Sequence, residues 1–271
     1  MNSNPFKHLL GASGGHPPIG TWIGSASPLV AEAVAYAGFD WGVLDMEHSP
    51  LDMMDLVHLL HAVSATRMVP VVRVPWNDKV TIKRVLDAGA TTLLVPFVQD
   101  AGEAARAVAA ARYPPDGVRG MSSSGRASRF GTTPNYLRTA NRGIAVIAQL
   151  ETVQAVAQLE AIAAVPGVDA LFLGPADLSA SMGHVGQLTH PEVLDLMGDV
   201  VHRCRAAGKP IGAIGPTPEA VAQYRAIGFD FVAVGSDLGL LIEGAQAVVS
   251  ALRTPGGMHV HSLASGTQTA G

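Results

Sequence analysis

Short apolar runs alternate eight times with segments of helical pattern, and this alternation restricts the fold of the chain more than any other feature. The predicted strands lie near residues 19–23, 41–45, 69–74, 92–97, 144–150, 169–174, 210–214 and 230–234. The predicted helices lie at 28–37, 52–64, 78–88, 101–112, 152–164, 191–207, 217–227 and 238–253. Strict alternation indicates parallel strands with crossover helices, and eight units in 271 residues favour a closed (β/α)₈ TIM barrel over an open sheet.

We therefore predict a single α/β domain, with the barrel over residues 1–253 and a flexible tail over residues 254–271 that is rich in Gly, Ser, Thr and His. Asp52, Asn77 and Thr217 precede predicted helices and are expected to cap them. The segment 113–142 is too long for an ordinary connection and is predicted to be a lid or a contact surface.

Charge and cysteine content restrict the partners and the compartment. The net charge is −4 and the chain has no Lys-rich or Arg-rich run, so we expect no nucleic-acid partner. Cys204 is the only cysteine and is predicted to be a buried helical residue, which suits a reducing compartment. No signal-peptide pattern or run of about 18 apolar residues is present, so we predict a cytoplasmic protein with no membrane partner.

Polar side chains follow four of the predicted strands. Asp45 and His48 follow the second strand, Arg73 ends the third, Glu151 follows the fifth and Asp177 follows the sixth. In a (β/α)₈ barrel the carboxyl ends of the strands form the active site. These residue types are therefore expected to meet at one end of the barrel.

Glu151 and Asp177 follow neighbouring strands, and two adjacent carboxylates repel each other unless a positive charge lies between them. A divalent cation would supply that charge, and oxygen ligands of this kind suit Mg²⁺ or Mn²⁺, with Co²⁺ tolerated. The alternative is purely structural: Glu151 complements a helix dipole and Asp177 caps a turn.

Arg73, Asp45 and His48 each have a catalytic and a structural interpretation. The planar fork of Arg73 suits a carboxylate or an enolate oxygen, but it could instead form a structural ion pair with Asp45 or Asp87. Asp45 could orient the His48 imidazole for proton transfer, or His48 could be an ordinary loop residue. Glu47 lies between them in the chain and is predicted to point elsewhere.

The positions of the lysines argue against one reaction mechanism. The chain has only four, Lys7, Lys79, Lys83 and Lys209, and none follows a predicted strand directly. A Schiff-base aldolase needs a desolvated lysine inside the barrel, so this mechanism is disfavoured. His184, in a glycine-rich loop after the sixth strand, is a weaker candidate for contact with a substrate.

Five motifs occur in order, and together they resemble the HpcH/HpaI aldolase family over residues 20–241. They are Asp45-Met-Glu-His48, Val-Val-Arg73-Val-Pro, Arg112-Tyr-Pro-Pro-Asp-Gly-Val-Arg-Gly120, Gln149-Leu-Glu151 and Gly174-Pro-Ala-Asp-Leu178. The resemblance implies a metal-dependent class II aldolase on a (β/α)₈ barrel. Such an enzyme catalyses reversible aldol addition between pyruvate or hydroxypyruvate and an aldehyde.

The resemblance also implies roles for individual residues. Glu151 and Asp177 would bind the divalent ion, Mg²⁺, Mn²⁺ or Co²⁺. Arg73 would hold the 2-oxoacid and its enolate, and His48 with Asp45 would transfer protons. The donor pocket would be lined by Gln149, Gly174, Pro175 and Ala176.

The quaternary structure implied by the resemblance is a hexamer, a trimer of dimers, in which subunits exchange their C-terminal helices. Segment 113–142 would then help to form a site near a subunit interface. Two other functions remain open: a 2-oxoacid decarboxylase that acts on oxaloacetate at the same site, and a non-catalytic protein that binds a 2-oxoacid.

Overall fold

Eight parallel strands close into a barrel in the computed structural model, which describes residues 4–12 and 16–253. The strands are β1 (Ile19–Ile23), β2 (Trp41–Asp45), β3 (Val69–Arg73), β4 (Thr92–Val95), β5 (Ala145–Leu150), β6 (Ala170–Leu173), β7 (Ile211–Gly215) and β8 (Phe231–Ser236). Each strand pairs in parallel with the next, and β8 pairs with β1. The predicted single-domain (β/α)₈ barrel is therefore confirmed.

Helices surround this barrel. Within the described residues they are α1 (Pro5–Ala12), α2 (Pro28–Tyr36), α3 (Met53–Val63), α4 (Lys79–Asp87), α5 (Ala101–Ala110), α6 (Tyr136–Thr139), α7 (Val153–Ala157), α8 (Leu159–Ala163), α9 (Pro175–Ser181), α10 (Pro191–Ala206), α11 (Pro218–Ile227) and α12 (Asp237–Arg253). The helix predicted over 152–164 is divided at Gln158 into α7 and α8. The predicted flexible tail, 254–271, lies outside the described residues.

Aspartate side chains cap the amino-terminal ends of α3 and α4, and one of these caps differs from the sequence prediction. The Asp52 carboxylate accepts hydrogen bonds from the amides of Met54, at 2.7 Å, and Asp55. Asp78, rather than the predicted Asn77, caps α4. The Asn77 amide instead donates to the Glu103 carbonyl oxygen at 3.0 Å, which leaves the capping position to the carboxylate that follows.

The fourth strand is shorter than predicted, and the reason lies in its last residues. β4 ends at Val95 because Pro96 has no N–H to continue the ladder. Phe97 then adopts a left-handed backbone conformation with φ of 51°, which turns the chain away from the strand direction. This turn places the Phe97 amide at the carboxyl end of the barrel.

Aromatic side chains fill the amino-terminal end of the barrel. Phe6 of α1 is buried there, with ring centroids 5.3 Å from Phe231 and 5.9 Å from Trp41, the first residues of β8 and β2. Gly20 leaves the space for Trp41, because a Cβ atom at position 20 would collide with the indole ring. Helix α1 therefore closes this end of the barrel.

A second, larger core separates the strands from the helices. Cys204 of α10 is fully buried in this layer, as predicted. Leu56 and Leu59 of α3 and Ile82 of α4 pack into the same layer, so the helices turn their apolar faces towards the barrel. Within 4–12 and 16–253, no helix combines the length and hydropathy needed to cross a bilayer.

The long segment 113–142 joins α5 to β5, which places it at the amino-terminal end of the barrel. It contains a 3₁₀ turn at Arg126–Ser128, the short helix α6 and a second 3₁₀ turn at Ala140–Gly143. The prediction of a lid is wrong for the chain's own site, because helix-to-strand connections lie at the opposite end from the carboxyl ends of the strands. A contact surface stays a prediction.

Candidate active site

Asp45 and Arg73 end adjacent strands and form a buried bidentate ion pair. They are direct neighbours in the β2–β3 register. Arg73 Nε lies 2.8 Å from Asp45 Oδ1, and Nη2 lies 2.7 Å from Oδ2. The side-chain exposures are 8% and 5%, so this pair is desolvated. The ion pair that we considered as an alternative for Arg73 is therefore present.

Glu47 also faces Arg73, contrary to our prediction that it points elsewhere. The Asp45 carboxylate accepts a hydrogen bond from the Glu47 amide at 3.0 Å, and this tight turn directs the Glu47 side chain inward. Its Oε2 atom lies 3.1 Å from Arg73 Nη1, within ion-pair distance, although the two groups are not aligned for a hydrogen bond. Glu47 is thus a third charged group of the site.

The Arg73 guanidinium retains donors for a ligand. It has five N–H bonds, two of which are directed to Asp45, while Nη1 faces Glu47. Burial alone would lower the pKa of Arg73, but the hydrogen bonds and charge of Asp45, and the charges of Glu47 and Glu151, raise it above its ordinary value. Arg73 therefore stays cationic in the site.

Glu151 is held rigidly at the end of β5. Its Oε2 atom accepts a hydrogen bond from the Phe97 amide at 2.9 Å, and its Oε1 atom accepts one from Gln149 Nε2. Gln149 and Glu151 are 2% and 1% exposed. The strained conformation of Phe97 has a role here, since it directs an amide at a carboxylate.

Asp177 lies in the first turn of α9 and is half-buried. Burial raises the pKa of Glu151 to about 7, and the charges of Glu47 and Asp177 contribute, whereas the Phe97 amide opposes the shift. Burial likewise raises the pKa of Glu47 to about 7, with contributions from Asp45 and Asp177 that Arg73 opposes. Glu47, Glu151 and Asp177 therefore repel one another across a common space.

This space has the chemistry of a cation site. The charges of Glu47, Glu151 and Asp177 act on one another here, and Arg73 supplies one positive charge. Two buried oxygen atoms, Glu47 Oε2 and Gln149 Oε1, have no hydrogen-bond donor among the described residues. Oxygen donors with excess negative charge fit a hard divalent cation such as Mg²⁺. The residues present thus fit a metal held by Glu151 and Asp177.

Gly174 begins the wall beside Glu151. A Cβ atom at this position would lie 2.8 Å from both Cγ and Oε1 of Glu151 and 3.2 Å from Gln149 Nε2. Pro175 is buried and Ala176 is exposed at the start of α9. The backbone therefore approaches the carboxylate more closely than any side chain would allow.

We expect Gly174→Ala to lower catalytic turnover by at least about ten-fold, because the new methyl group must displace Glu151. Steady-state kinetics at saturating metal will measure this. Gly198→Ala in α10 is the matched control, since a Cβ atom added at that position would meet nothing within 4 Å. Equal activity of both variants and the wild type would show that the position of Glu151 is not critical.

His48 is at the site, but its imidazole is not bonded to Asp45. Asp45 Oδ1 is 3.4 Å from the His48 backbone amide, whereas the ring is 64% exposed and its Nε2 atom lies 3.9 Å from Glu47 Oε2. The structure therefore places His48 at the rim of the site.

A second group of potential metal ligands lies on the loop between α9 and α10 and in the first turn of α10. His184 Nε2 is 3.0 Å from Glu192 Oε2, and the rings of His184 and His190 stack at 3.7 Å. These three residues meet the spacing of a metal site, whereas Glu151 and Asp177 are only a pair. We favour the pair as the catalytic position because Glu151 is buried and interacts electrostatically with Arg73, whereas the Glu192 side chain is 70% exposed.

Three groups of the site were not predicted from the sequence. Glu47 was placed outside the site, although its position within Asp45-Met-Glu-His48 was a usable signal. The Trp22 ring, 7% exposed at the end of β1, lies 5.5 Å from the Arg73 guanidinium carbon. The Phe97 amide depends on a left-handed backbone that no sequence pattern indicated.

Comparison with known proteins gives consistent matches over most of the chain. The family model described as HpcH/HpaI aldolase/citrate lyase matches residues 18–244. A protein of Pseudomonas putida named 2-dehydro-3,6-dideoxy-6-sulfogluconate aldolase is 50% identical over 87% of this chain and 92% of its own. A pyruvate aldolase of Rhizobium etli is 49% identical over 93% of this chain and 98% of its own.

A solved structure matches the fold as well. The crystal structure of an HpcH/HpaI aldolase/citrate lyase family protein from Burkholderia cenocepacia J2315 superimposes with a TM-score of 0.89 at 41% identity. The match covers 93% of this chain and 100% of the other. The resemblance inferred from the five motifs is therefore confirmed.

Proposed function

This chain belongs to the HpcH/HpaI aldolase/citrate lyase family, and we propose that it is a class II aldolase that joins a 2-oxoacid to an aldehyde and cleaves the product in reverse. Relatives at 50% and 49% identity are named aldolases, which are carbon–carbon lyases. The observation that carries the proposal is the set of Glu47, Glu151 and Asp177 beside the Arg73 guanidinium. Pyruvate and hydroxypyruvate are the donors we propose.

Glu151 and Asp177 would hold the divalent ion, which we propose to be Mg²⁺, Mn²⁺ or Co²⁺. When bound, such an ion acts as a Lewis acid that stabilises the negative charge developing on the 2-oxoacid. Gln149 and the Phe97 amide keep Glu151 in one orientation. This rigidity means that little reorganisation is needed during the reaction.

Arg73 would bind the oxoacid and stabilise its enolate. Its guanidinium is desolvated, is held in orientation by Asp45 and retains N–H groups for a second partner. Charge-assisted hydrogen bonds of this kind are strong in a site of low dielectric. Gln149 and the backbone of Gly174, Pro175 and Ala176 would form the wall against which the donor lies.

Proton transfer would involve His48 and Asp45 in different ways. Asp45 holds the turn that carries His48, through the Glu47 and His48 amides. The exposed His48 ring would protonate the developing alkoxide through a water molecule at the rim. Asp45 is thus proposed as a positioning group and His48 as the proton donor.

Proton NMR of pyruvate and of hydroxypyruvate in D₂O tests this function. We expect the C3 proton signal to disappear with enzyme and Mg²⁺ or Mn²⁺, and to persist when a chelator is added. Binding of either donor without exchange at C3 would instead indicate an oxoacid-binding protein. Product analysis with oxaloacetate alone would reveal a dominant decarboxylase, which forms the same enolate.

The raised pKa values predict how metal stabilisation depends on pH. Glu47 and Glu151 have ordinary pKa values of 4.5 that rise to about 7 in the folded, metal-free chain. Protonation of these groups therefore favours folding below about pH 4.5, and this contribution is lost as the pH rises through about 7. We expect Mg²⁺ to raise the Tm more at pH 8 than at pH 5.5, which differential scanning calorimetry will measure. An equal rise at both pH values would contradict the site assignment.

The C-terminal helix supports a proposed oligomer. Leu240 and six other large apolar residues of α12 are exposed, and the six recur at helical spacing: Leu238, Leu241, Ile242, Val248, Val249 and Leu252. An apolar stripe that is exposed on a helix of the isolated chain is typical of a surface that is buried against a partner. We infer a hexamer, a trimer of dimers, in which α12 is exchanged between subunits and segment 113–142 lies near an interface.

We expect Leu241→Lys to lower the molecular mass measured by light scattering, because it places a charge in the apolar stripe of the proposed interface. The side chain is 61% exposed within one chain, so the substitution does not disturb the fold of the subunit. Val185→Lys, at a site 75% exposed on the loop before α10, is the matched control. An unchanged mass for Leu241→Lys would argue against exchange of α12.

We also propose that the protein acts in the cytoplasm. Cys204, the only cysteine, is fully buried, and burial raises its thiol pKa to about 12, which keeps it unreactive.

A further inference from the structure

A cavity of about 750 Å³ lies at the amino-terminal end of the barrel, opposite the proposed active site. Its wall includes Ala90 and Thr91, which precede β4, and Gly143 and Ile144, which precede β5. Segment 113–142 forms the other side. The volume is within the range of about 300–1,000 Å³ that is usual for small-molecule pockets.

The charged residues that line this cavity are all positive. Arg126 and Arg129 contribute to the wall, whereas no aspartate or glutamate of the described chain does. The half-buried Arg126 donates from Nη1 to the Ala88 carbonyl oxygen at 2.7 Å and from Nε to His61 Nε2 at 3.1 Å. Neither arginine forms an ion pair with a described carboxylate.

The other buried or half-buried arginines among the described residues show how unusual this is, because each has a carboxylate partner. Arg119, which is fully buried, pairs with Asp87 at 2.7 Å, and Arg203 forms a fork with Glu160. Arg126 has only neutral partners, and burial lowers its pKa with no carboxylate to oppose the shift. A partly buried cation is unfavourable without a counter-ion. The cavity therefore provides the space in which a missing anion would lie.

Further donors and an apolar wall surround this position. Hydroxyl-bearing Thr133 and Tyr136 line the cavity with the arginines, and Phe130, whose side chain is 73% exposed, lies beside them. A guanidinium with nearby hydroxyl groups matches the oxygen atoms of carboxylates and phosphates. We propose that this cavity binds a small molecule through a phosphate or carboxylate group, with Arg126 as its counter-ion and Arg129 at the mouth.

Isothermal titration of the full chain with inorganic phosphate and, separately, with succinate tests this site. The titrations are made in chelator at constant ionic strength, so that a metal at the active site does not contribute. We expect the wild type to bind at least one of the two anions. Arg126→Gln should weaken that binding by at least about ten-fold, and Arg126→Lys by less, because a lysine keeps the charge but loses the fork.

Two further variants keep the result interpretable. Arg73→Gln removes the cation of the active site and should leave this binding unchanged. Arg129→Gln changes an exposed side chain, and it should weaken binding about two- to five-fold. The anion that binds identifies the headgroup: phosphate alone, succinate alone or both.

Several results would overturn the proposal. It fails if neither anion binds the wild type, or if Arg126→Gln binds as tightly as the wild type does. Loss of binding in Arg73→Gln would move the anion to the active site. A change of oligomeric mass in Arg126→Gln, without anion binding by the wild type, would assign the counter-ion to a second copy of the chain.

Discussion

Glu151→Gln will lower retro-aldol activity about a thousand-fold, and Asp177→Asn will do the same. Lewis-acid stabilisation of the enolate is expected to supply several kcal/mol, and each 1.36 kcal/mol corresponds to about ten-fold in rate. Either amide removes a negative oxygen ligand from the proposed metal pair. Steady-state kinetics, together with calorimetric titration of Mg²⁺ or Mn²⁺, will measure both losses.

The Glu151→Gln variant should still fold, which makes the test clean. Its new side-chain amide can accept the Phe97 hydrogen bond with its oxygen. Once the Gln149 amide turns over, the new nitrogen can donate to Gln149 Oε1, which has no donor among the described residues of the wild type. Removal of a buried charge also lowers the desolvation cost at this position. A loss of activity accompanied by an unchanged or higher Tm would therefore report on chemistry and not on unfolding.

Glu192→Gln is the matched control, because it makes the same isosteric change in the other group of potential metal ligands. Its side chain is 70% exposed and pairs with His184. We expect normal metal-dependent activity in this variant. If Glu192→Gln lost the metal and Glu151→Gln kept it, the catalytic metal would belong to the group of His184, His190 and Glu192.

Arg73→Lys will lower kcat/KM about 100-fold, the second-largest effect we expect. A lysine keeps the charge but cannot contact Asp45 through two nitrogens while also facing Glu47 and a substrate. Several charge-assisted hydrogen bonds are thus lost, at about 1.5–3 kcal/mol each. Metal-dependent proton exchange at C3 of pyruvate will measure the loss separately from acceptor chemistry.

This variant also separates the two interpretations of Arg73. If the arginine served only as the structural partner of Asp45, Arg73→Lys would lower the free energy of unfolding and leave the turnover of the folded fraction unchanged. Arg203→Lys is the matched control, because Arg203 forms a similar fork with Glu160 on the outside of the barrel. There we expect a stability change within about 1 kcal/mol and full activity.

The barrel was predictable because each strand is a short apolar run, and the residues at and next to its ends in the sequence determine its length and boundaries. The observed β1 and β2 have the predicted bounds, and the others differ by one or two residues at one or both ends. β4 was shortened by Pro96, whose missing N–H is a local signal. The break at Gln158 has no glycine or proline to mark it, and the sequence offers no physical reason for it.

The site was less predictable, because side-chain direction depends on contacts between strands. The pattern located Arg73, Glu151 and Asp177 at the carboxyl ends of β3, β5 and β6. The inward direction of Glu47 follows from a turn that Asp45 stabilises while it also binds Arg73 from the neighbouring strand. A single chain segment contains no information about that pairing.

The aromatic closure of the amino-terminal end of the barrel has a kinetic consequence. Phe6 blocks passage at that end, so reactants enter and leave only between the carboxyl ends of the strands. Arg73, which would hold the oxoacid, and Glu151, which would hold the metal, are 7% and 1% exposed, while His48 lies at the rim. If Arg73 holds the oxoacid, we expect the oxoacid to bind before the aldehyde, and in cleavage we expect the aldehyde to leave first. A site that opens at only one end of the barrel would thus give the proposed reaction a compulsory order of substrate binding and product release.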